Sequence, residues 1–337
     1  MGLFSFHRVR TEKQLAAALR CTTTYLHQLA ENPKYNSFMV TKPGGGKRLI
    51  EDPETDLKQV LSHIAYHLQM TYYPIRPAPS HGFIKSPENA ESYHIVSNAS
   101  AHFGCSYLLN IDLDDFFHQV TEDKVARIFQ SSHFHFDLDC EALLTKMVCY
   151  NGRLPMGSPS SPPLSNYAML LVDDEIEKWA FGQNITYTRY VDDLTFSSIK
   201  SIQNQQIAAI KEILACHRFR PDPEKEKMAG KNDTKEVTGL ILTHSGLQLP
   251  VDFFDDLNDA IRQTAYISST LLHLPPDVAY NCLQGMRQSL AGRLAMVKQV
   301  YGAHSQVYHK LAAQVKEVLS HSFNPPPPRW RYNGYQW

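Results

Sequence analysis

The segment NITYTRYVDDLTFSS, residues 184–198, limits the possible folds more than any other part of the chain. Two runs of β-forming residues flank the adjacent acids Asp192 and Asp193, at the position where a hairpin should turn. Two like charges at the tip of an apolar ribbon repel each other unless a cation neutralises them. Aspartate also tolerates turn geometry, so an ordinary turn is the simpler interpretation of this segment alone.

A third acid changes that interpretation. Asp112 follows an apolar run in SYLLNIDLDDFFHQV, residues 106–120, which reads as a buried strand followed by a helix start. Strand ends and turn tips of one sheet can converge in space even when they are far apart in sequence. Three carboxylates so placed suit Mg²⁺, which binds through a few carboxylates and substrate phosphates. Two such ions could clamp the attacking and leaving oxygens of a phosphoryl transfer, and Mn²⁺ could replace Mg²⁺.

Composition sets the broad class of protein. The 337 residues are 43% hydrophobic and 20% charged, which is typical of a folded chain with a large core. No apolar run is long enough for a membrane span, so we expect no membrane partner. The six cysteines form no CxxC pair, which favours a reducing compartment and a cytoplasmic protein. The net charge of −1 decides little about nucleic-acid binding, because bound metal would make the effective charge positive.

The order of segments predicts an α+β body followed by a helical appendage. A hairpin is predicted around the glycines 44–46, and a helix near Leu164 once the preceding prolines end. The tail NPPPPRWRYNGYQW, residues 324–337, is predicted to be polyproline II or irregular. Helices are predicted for 11–31, 54–73, 203–217 and from Val251 onward, and strands for 106–112 and 235–250.

Several blocks resemble one known family. NIDLDDFF, RLPMGSPSSPPLSN and YVDDLTFS, in this order and spacing, resemble the palm motifs of reverse transcriptases. Three further segments resemble elements of bacterial retron reverse transcriptases. They are NASAH (98–102), VTG (237–239) and the thumb-like LAGRLAMVKQV (290–300). The resemblance runs from about residue 38 to about residue 300.

The resemblance implies a right-hand polymerase fold, with fingers and palm built from an antiparallel sheet plus helices. It also implies a C-terminal helical thumb that binds RNA. The expected domains are fingers with N-terminal helices and part of the palm (1–105), palm (106–245), thumb (246–323) and the Pro/aromatic tail (324–337).

Carried over residue by residue, the resemblance makes Asp112, Asp192 and Asp193 the catalytic metal ligands. Phe117 stands where the family has an aromatic steric gate, which would clash with a ribose 2′-OH and so select deoxynucleotides. Core packing is the alternative role for that ring. Lys225 aligns with a palm lysine that can protonate pyrophosphate, although a solvated surface lysine would look the same.

The remaining nucleotide-binding candidates surround the fingers hairpin and the palm loop. Lys47 and Arg48 follow the glycine tip and resemble residues that grip the triphosphate, since an arginine fork suits phosphate geometry. Gly157 would let backbone approach the nascent base pair. Met156 departs from the glutamine more usual in the family, which bears on nucleotide discrimination and fidelity.

The resemblance also implies binding partners, which include nucleotides, nucleic acids and a protein. The expected partners are dNTPs, a cognate structured non-coding RNA that is both template and primer, its cDNA product, and an effector protein in anti-phage defence. The product would be a branched RNA-linked DNA (msDNA) primed from the 2′-OH of a guanosine. Arg287, Arg293 and Lys298 are spaced to permit a broad basic helical face for RNA, or simply a solvated one.

Other functions remain open at this point. One is a bacterial defence or group II-like reverse transcriptase without a dedicated retron RNA. Another is a catalytically inactive polymerase-like scaffold, against which the three intact acids argue. An RNA-dependent RNA polymerase is disfavoured because Phe117 should exclude ribonucleotides.

Overall fold

A computed structural model of the protein describes residues 6–41, 45–88, 90, 92–271 and 273–320. The predicted tail, 324–337, and Gly44 of the predicted hairpin tip lie outside these residues. The chain divides into two compact units, Met1–Thr238 and Gly239–Trp337. The predicted thumb, from 246, falls within the second unit, whereas the division of the first unit into fingers and palm stays a prediction.

Helices and strands alternate in the first unit, and helices dominate the second. The helices of the described residues are α1 Glu12–Ala18, α2 Thr23–Glu31, α3 Thr55–Tyr72, α4 Ile95–Ser100, α5 Glu122–Phe129, α6 Leu138–Val148, α7 Ser161–Ala168, α8 Leu170–Gly182, α9 Asn204–Cys216, α10 Val251–Thr270, α11 Pro276–Tyr301 and α12 Gln306–Ser320. The strands are β1 Tyr35–Thr41, β2 Lys47–Pro53, β3 Tyr107–Asp112, β4 Thr186–Tyr190, β5 Asp193–Ser198, β6 Lys227–Ala229, β7 Lys235–Val237, β8 Leu240–Thr243 and β9 Gly246–Gln248.

The central sheet of the first unit has the strand order β4-β5-β3-β6, and its pairs are antiparallel. Alternate apolar residues explain its position, because Leu109 and Ile111 of β3 and Leu194 and Phe196 of β5 are fully buried. They join a core that also takes in α3, α6 and α9. The sheet therefore has a rigid interior, while the ends of β3 and β5 are free to carry polar groups.

Two sequence predictions were wrong in detail. The predicted helix over 11–31 is two helices, because Arg20 adopts a left-handed φ of 58° and Thr22 caps α2 by accepting from the backbone N of Tyr25. Helix α7 begins at Ser161, before the prolines end. Prolines are tolerated in a first helical turn, where the missing N–H has no intrahelical partner anyway.

The second unit contains the β8/β9 hairpin and the helices α10, α11 and α12, which pack against one another. This confirms the prediction of helix from Val251 onward. The backbone N of Leu249 donates to the hydroxyl of Tyr301 at 3.0 Å, which ties the entry of α10 to the end of α11. Among the described residues, no helix has the length and apolarity needed to cross a membrane.

Candidate active site

The sheet register brings the predicted acids together. Asp112 ends β3 and Asp193 begins β5, and the two are directly paired residues across the antiparallel ladder. The carbonyl of Asp192 accepts from the backbone N of Leu113 at 3.1 Å, so the hairpin turn is fastened to the end of β3. The convergence expected from the sequence is therefore a consequence of strand register.

Burial and mutual repulsion raise the pKa values of two of the three acids. Burial, then the charges of Asp192 and Asp112, raise the pKa of Asp193 to about 7. Burial and the charge of Asp112 also raise the pKa of Asp192, although Lys225 and Arg48 act in the opposite direction. Acids that crowd in this way favour a cation between them.

Lys225 is the direct partner of this cluster. Its Nζ donates to Asp112 Oδ1 at 2.6 Å and lies 3.5 Å from Asp222 Oδ2. Burial alone would lower the pKa of Lys225, but the hydrogen bond to Asp112 raises it overall. The ammonium group is therefore protonated and lies at the acids, while its action on pyrophosphate stays a prediction.

The donor chemistry fits a divalent cation, since three carboxylates supply only hard oxygen ligands. Within the described residues, however, no group of three or more His, Cys, Asp or Glu side chains is already arranged around a metal position. Asp112 is instead held by Lys225. Lys225 would have to release Asp112 for that acid to bind an ion together with Asp192 and Asp193.

The turn that carries Asp192 is strained. Val191 has a φ of 63°, in the left-handed region that β-branched residues avoid. Its carbonyl accepts from Arg189 Nη1 at 2.9 Å, which fixes the peptide that leads into Asp192. Strain of this kind persists only where the surroundings over-determine the conformation.

Arg189 helps to hold this strained turn, and the sequence analysis did not identify it as a site residue. Its guanidinium is fully buried and forms a paired salt bridge with Asp173 of α8, with Nε–Oδ1 at 2.8 Å and Nη2–Oδ2 at 2.7 Å. Arg189 Nη1 also donates to Asn166 Oδ1 at 3.1 Å, and Tyr187 OH donates to Asp173 Oδ1 at 2.8 Å. An arginine three residues before Asp192 is a sequence signal, but its distant partner is not readable from the sequence.

The segment Pro79–Gly82 supports the same turn from the other side. The backbone N of His81 donates to the carbonyl of Arg189 at 2.9 Å, and the backbone N of Arg189 donates to that of Pro79 at 2.8 Å. A Cβ on Gly82 would lie 2.5 Å from the backbone N of Val191. Only glycine permits this approach, so Gly82 is a further residue that positions the turn.

The hairpin β1/β2 carries the predicted triphosphate residues. Lys47 and Arg48 are exposed at the start of β2, and Arg48 lies close enough to lower the pKa of Asp192. Glu51 anchors the hairpin, because its nearly buried carboxylate binds Arg153 through Oε2–Nη1 at 2.7 Å and Oε1–Nη2 at 3.1 Å. No pattern in the sequence indicates this ion pair.

Gly157 lies against the same strand. Its φ is 132°, and a Cβ there would lie 2.7 Å from the carbonyl oxygen of Glu51. The backbone N of Glu51 donates to the carbonyl of Met156 at 2.7 Å. The close contact with β2 thus requires glycine at this position. This reason is independent of the predicted approach of a nucleotide.

Phe117 follows the turn after β3, in the 3₁₀ helix Phe116–Gln119. It is partly buried and packs on the edge of the core. Its ring neighbours are Phe116, with centroids 5.9 Å apart, and Phe83, with centroids 6.1 Å apart. Both the gate and the packing role predicted for Phe117 are compatible with this position.

The retron-like segment VTG contacts α4, the helix in which the segment NASAH begins. Thr238 donates from Oγ1 to the carbonyl of Ile95 at 3.5 Å, which links the VTG triplet to α4. His102, at the end of NASAH, is 1% exposed and its ring nitrogens lie 2.7 Å from Ser197 Oγ and 2.7 Å from Thr188 Oγ1. His102 thereby links the end of α4 to β4 and β5.

We predict that His102 makes stability fall on acidification. Burial, then the charge of His81, lower the pKa of His102 from 6.5 to about 3, so the folded protein keeps it neutral. As the pH falls, His102 therefore binds a proton in the unfolded chain at a higher pH than in the folded protein. Stability is therefore unaffected above pH 6.5 and is lost below it, by up to about 1.4 kcal/mol per pH unit.

Denaturant unfolding between pH 7 and pH 5 measures this effect. His102→Asn should flatten the dependence of the free energy of unfolding on pH. The exposed histidine His135, substituted in the same way, should leave the wild-type slope. Equal slopes for His102→Asn and wild type would contradict the prediction.

The three predicted RNA-binding cations all lie on α11. At about 100° per residue, Arg293 is turned about 120–140° away from Arg287 and Lys298, so a basic face that includes all three has to be broad. Arg287 Nη2 donates to the carbonyl of Leu319 at 3.2 Å, and its guanidinium lies 4.8 Å from the ring centroid of Tyr280. Arg287 thus contributes to helix packing, while RNA binding by these residues stays a prediction.

Comparisons with known proteins agree with these motifs. Residues 40–242 match the model of the family described as reverse transcriptase (RNA-dependent DNA polymerase). The retron Ec86 reverse transcriptase of Escherichia coli is 33% identical over 237 residues, which cover 68% of this chain and 69% of that enzyme. The retron Mx162 reverse transcriptase of Myxococcus xanthus is 29% identical over 247 residues, covering 64% of this chain and 48% of the relative.

Among solved structures, telomerase from Candida albicans aligns over 88% of this chain and 65% of its own. The TM-score is 0.46 at 12% identity, which is too low to bear on the fold. The family match covers more than half of the chain, and the α+β architecture with its antiparallel sheet is that of the right-hand polymerases. The chain belongs to the reverse transcriptase family and, within it, is of the retron type.

Proposed function

We propose that this protein copies part of a cognate structured non-coding RNA into a branched, RNA-linked single-stranded DNA. The observation that carries the proposal is the register of β3 and β5, which sets Asp112 against Asp193 beside the strained turn of Asp192. The similarity to enzymes named retron reverse transcriptases supports the RNA template and the branched product.

In this proposal Asp112, Asp192 and Asp193 hold two Mg²⁺ ions, for which Mn²⁺ can substitute. Bound there, the ions would activate the attacking hydroxyl and neutralise the charge that develops on the phosphates. Lys225 has a second task, because a protonated amine released from Asp112 is available to protonate the leaving pyrophosphate.

Selection and binding of the dNTP fall to groups around the acids. Lys47 and Arg48 bind the triphosphate from the hairpin, which Glu51 and Arg153 anchor. Phe117 excludes the ribose 2′-OH by steric contact. Gly157 has no side chain to obstruct the nascent pair.

The proposal extends to the setting of the reaction. The RNA is both template and primer, and the DNA begins at a 2′-OH of a guanosine. The RNA-linked product, together with an effector protein, serves anti-phage defence in the cytoplasm. A reverse transcriptase that uses no dedicated RNA is the alternative that the following experiment addresses.

The test is to purify the protein from cells that carry its native upstream DNA and to analyse the nucleic acid bound to it. We expect a short DNA on a denaturing gel that migrates faster after RNase treatment. It should be missing with Asp192→Asn or Asp193→Asn and present with Asp174→Asn, an exposed acid of α8. Bound DNA that RNase leaves unchanged would contradict the RNA linkage.

Two other outcomes separate the remaining functions. If no DNA copurifies but the protein extends a primer on poly(rA), it is a reverse transcriptase without a retron product. If it neither copurifies with DNA nor extends a primer, the scaffold function is favoured.

A further inference from the structure

Phe83 adopts a backbone conformation that bulky residues avoid. Its φ is 55°, in the left-handed region, and its side chain is 38% exposed. A left-handed, partly exposed aromatic residue combines two unfavourable features, and such outliers are concentrated at sites where the conformation has a function. Its place in the fold therefore needs a reason beyond core packing.

Two side-chain amides hold this segment in place. Gln69 Nε2 donates to the carbonyl of Phe83 at 2.7 Å, while Gln69 Oε1 accepts from the backbone N of Lys85 at 3.2 Å. Asn166 Nδ2 donates to the carbonyl of Gly82 at 3.0 Å. The backbone on both sides of Phe83 is thereby fixed, and with it the direction of its Cα–Cβ bond.

The ring of Phe83 lies beside the ring of Phe117. The two ring centroids are 6.1 Å apart and the planes are inclined by 38°, within the range of favourable aromatic pairs. We infer that Phe83 is a specificity-determining residue whose ring fixes the orientation of Phe117 and so sharpens the rejection of ribonucleoside triphosphates. This inference rests on the proposed function of Phe117 as the gate.

The physical basis is the freedom of a partly buried ring. Without Phe83, the ring of Phe117 keeps Phe116 as a neighbour on one side and gains space on the other. A gate that can turn away accepts a 2′-OH at little cost. An aromatic pair of this kind changes an equilibrium by roughly three- to tenfold, which sets the size of the expected effect.

The test compares single-nucleotide incorporation of a dNTP and the rNTP with the same base. For Phe83→Ala, the ratio of the two kcat/KM values should fall about three- to tenfold, because rNTP incorporation rises while dNTP incorporation changes little. Phe103→Ala is the matched control, since Phe103 is an exposed phenylalanine in another turn. It should keep the wild-type ratio.

A double substitution separates positioning from direct contact with the nucleotide. In a Phe117→Ala background, Phe83→Ala should lower selectivity no further. Additive losses would overturn the inference that Phe83 acts through Phe117. An unchanged ratio in Phe83→Ala, with a reduced ratio in Phe117→Ala, would overturn it too while leaving the gate in place.

Two further results distinguish this inference from the function on which it rests. If Phe117→Ala leaves the ratio unchanged, the proposed gate itself is wrong. If Phe83→Ala does not fold, Phe83→Leu keeps an apolar side chain without the ring and should still reduce the ratio. Wild-type selectivity in a folded Phe83→Leu protein would then contradict the inference that the ring of Phe83 orients Phe117.

Discussion

Asp112→Asn is expected to lower the rate of DNA synthesis by at least about a thousandfold, because metal ions in such sites stabilise the transition state by several kcal/mol and each 1.36 kcal/mol is a factor of ten. The same substitution should change the melting temperature little, because it relieves repulsion among the acids but also removes the ion pair of Asp112 with Lys225. Asp112 lies against Asp193, and removing one charge relieves the repulsion that raises the pKa of Asp193. Loss of activity with retained stability is the pattern of a site that stores strain for function.

Primer extension with saturating Mg²⁺, together with thermal unfolding, measures both effects. Asp222→Asn is the matched control, since its carboxylate lies 3.5 Å from the same Lys225 Nζ but outside the group of three acids. It should retain far more activity than Asp112→Asn. Extension by Asp112→Asn within tenfold of wild type would show that Asp112 holds no essential ion.

The sequence was informative where function leaves a local pattern. Strand periodicity and an acidic pair at a turn predicted the hairpin, and the order of the blocks predicted the sheet that carries Asp112. The hairpin β1/β2 and the C-terminal helices were predicted equally well. The two hairpins and the helices depend on residues close together in the chain, for which propensity and spacing are sufficient.

The sequence was uninformative where two distant segments must fit together. No local sequence pattern indicates that Asp173 pairs with Arg189, or that Gly82 lies against Val191. The sequence also left open how far apart the cations of α11 lie around the helix, since that angle depends on one helix continuing unbroken from Arg287 to Lys298.

Asp173→Asn should destabilise the first unit by about 3–5 kcal/mol, the cost of leaving a buried guanidinium without its counter-ion. Both side chains are completely buried, so solvent cannot replace the lost charge. The neighbouring pair Asp174–Lys178 lies on the same helix and is exposed. Asp174→Asn should therefore cost less than about 1 kcal/mol, and denaturant unfolding of the two variants makes the comparison.

Asp173→Asn should also disturb the position of the proposed catalytic acid Asp192. Asp173 orients Arg189, and Arg189 holds the carbonyl of Val191 in the strained turn before Asp192. When the pair is broken, the valine can relax toward a negative φ and carry the carboxylate of Asp192 away from Asp112. We expect folded Asp173→Asn protein to need more Mg²⁺ for half-maximal primer extension than wild type or Asp174→Asn. A matching Mg²⁺ requirement in all three would mean that the buried pair stabilises the fold without positioning the acid.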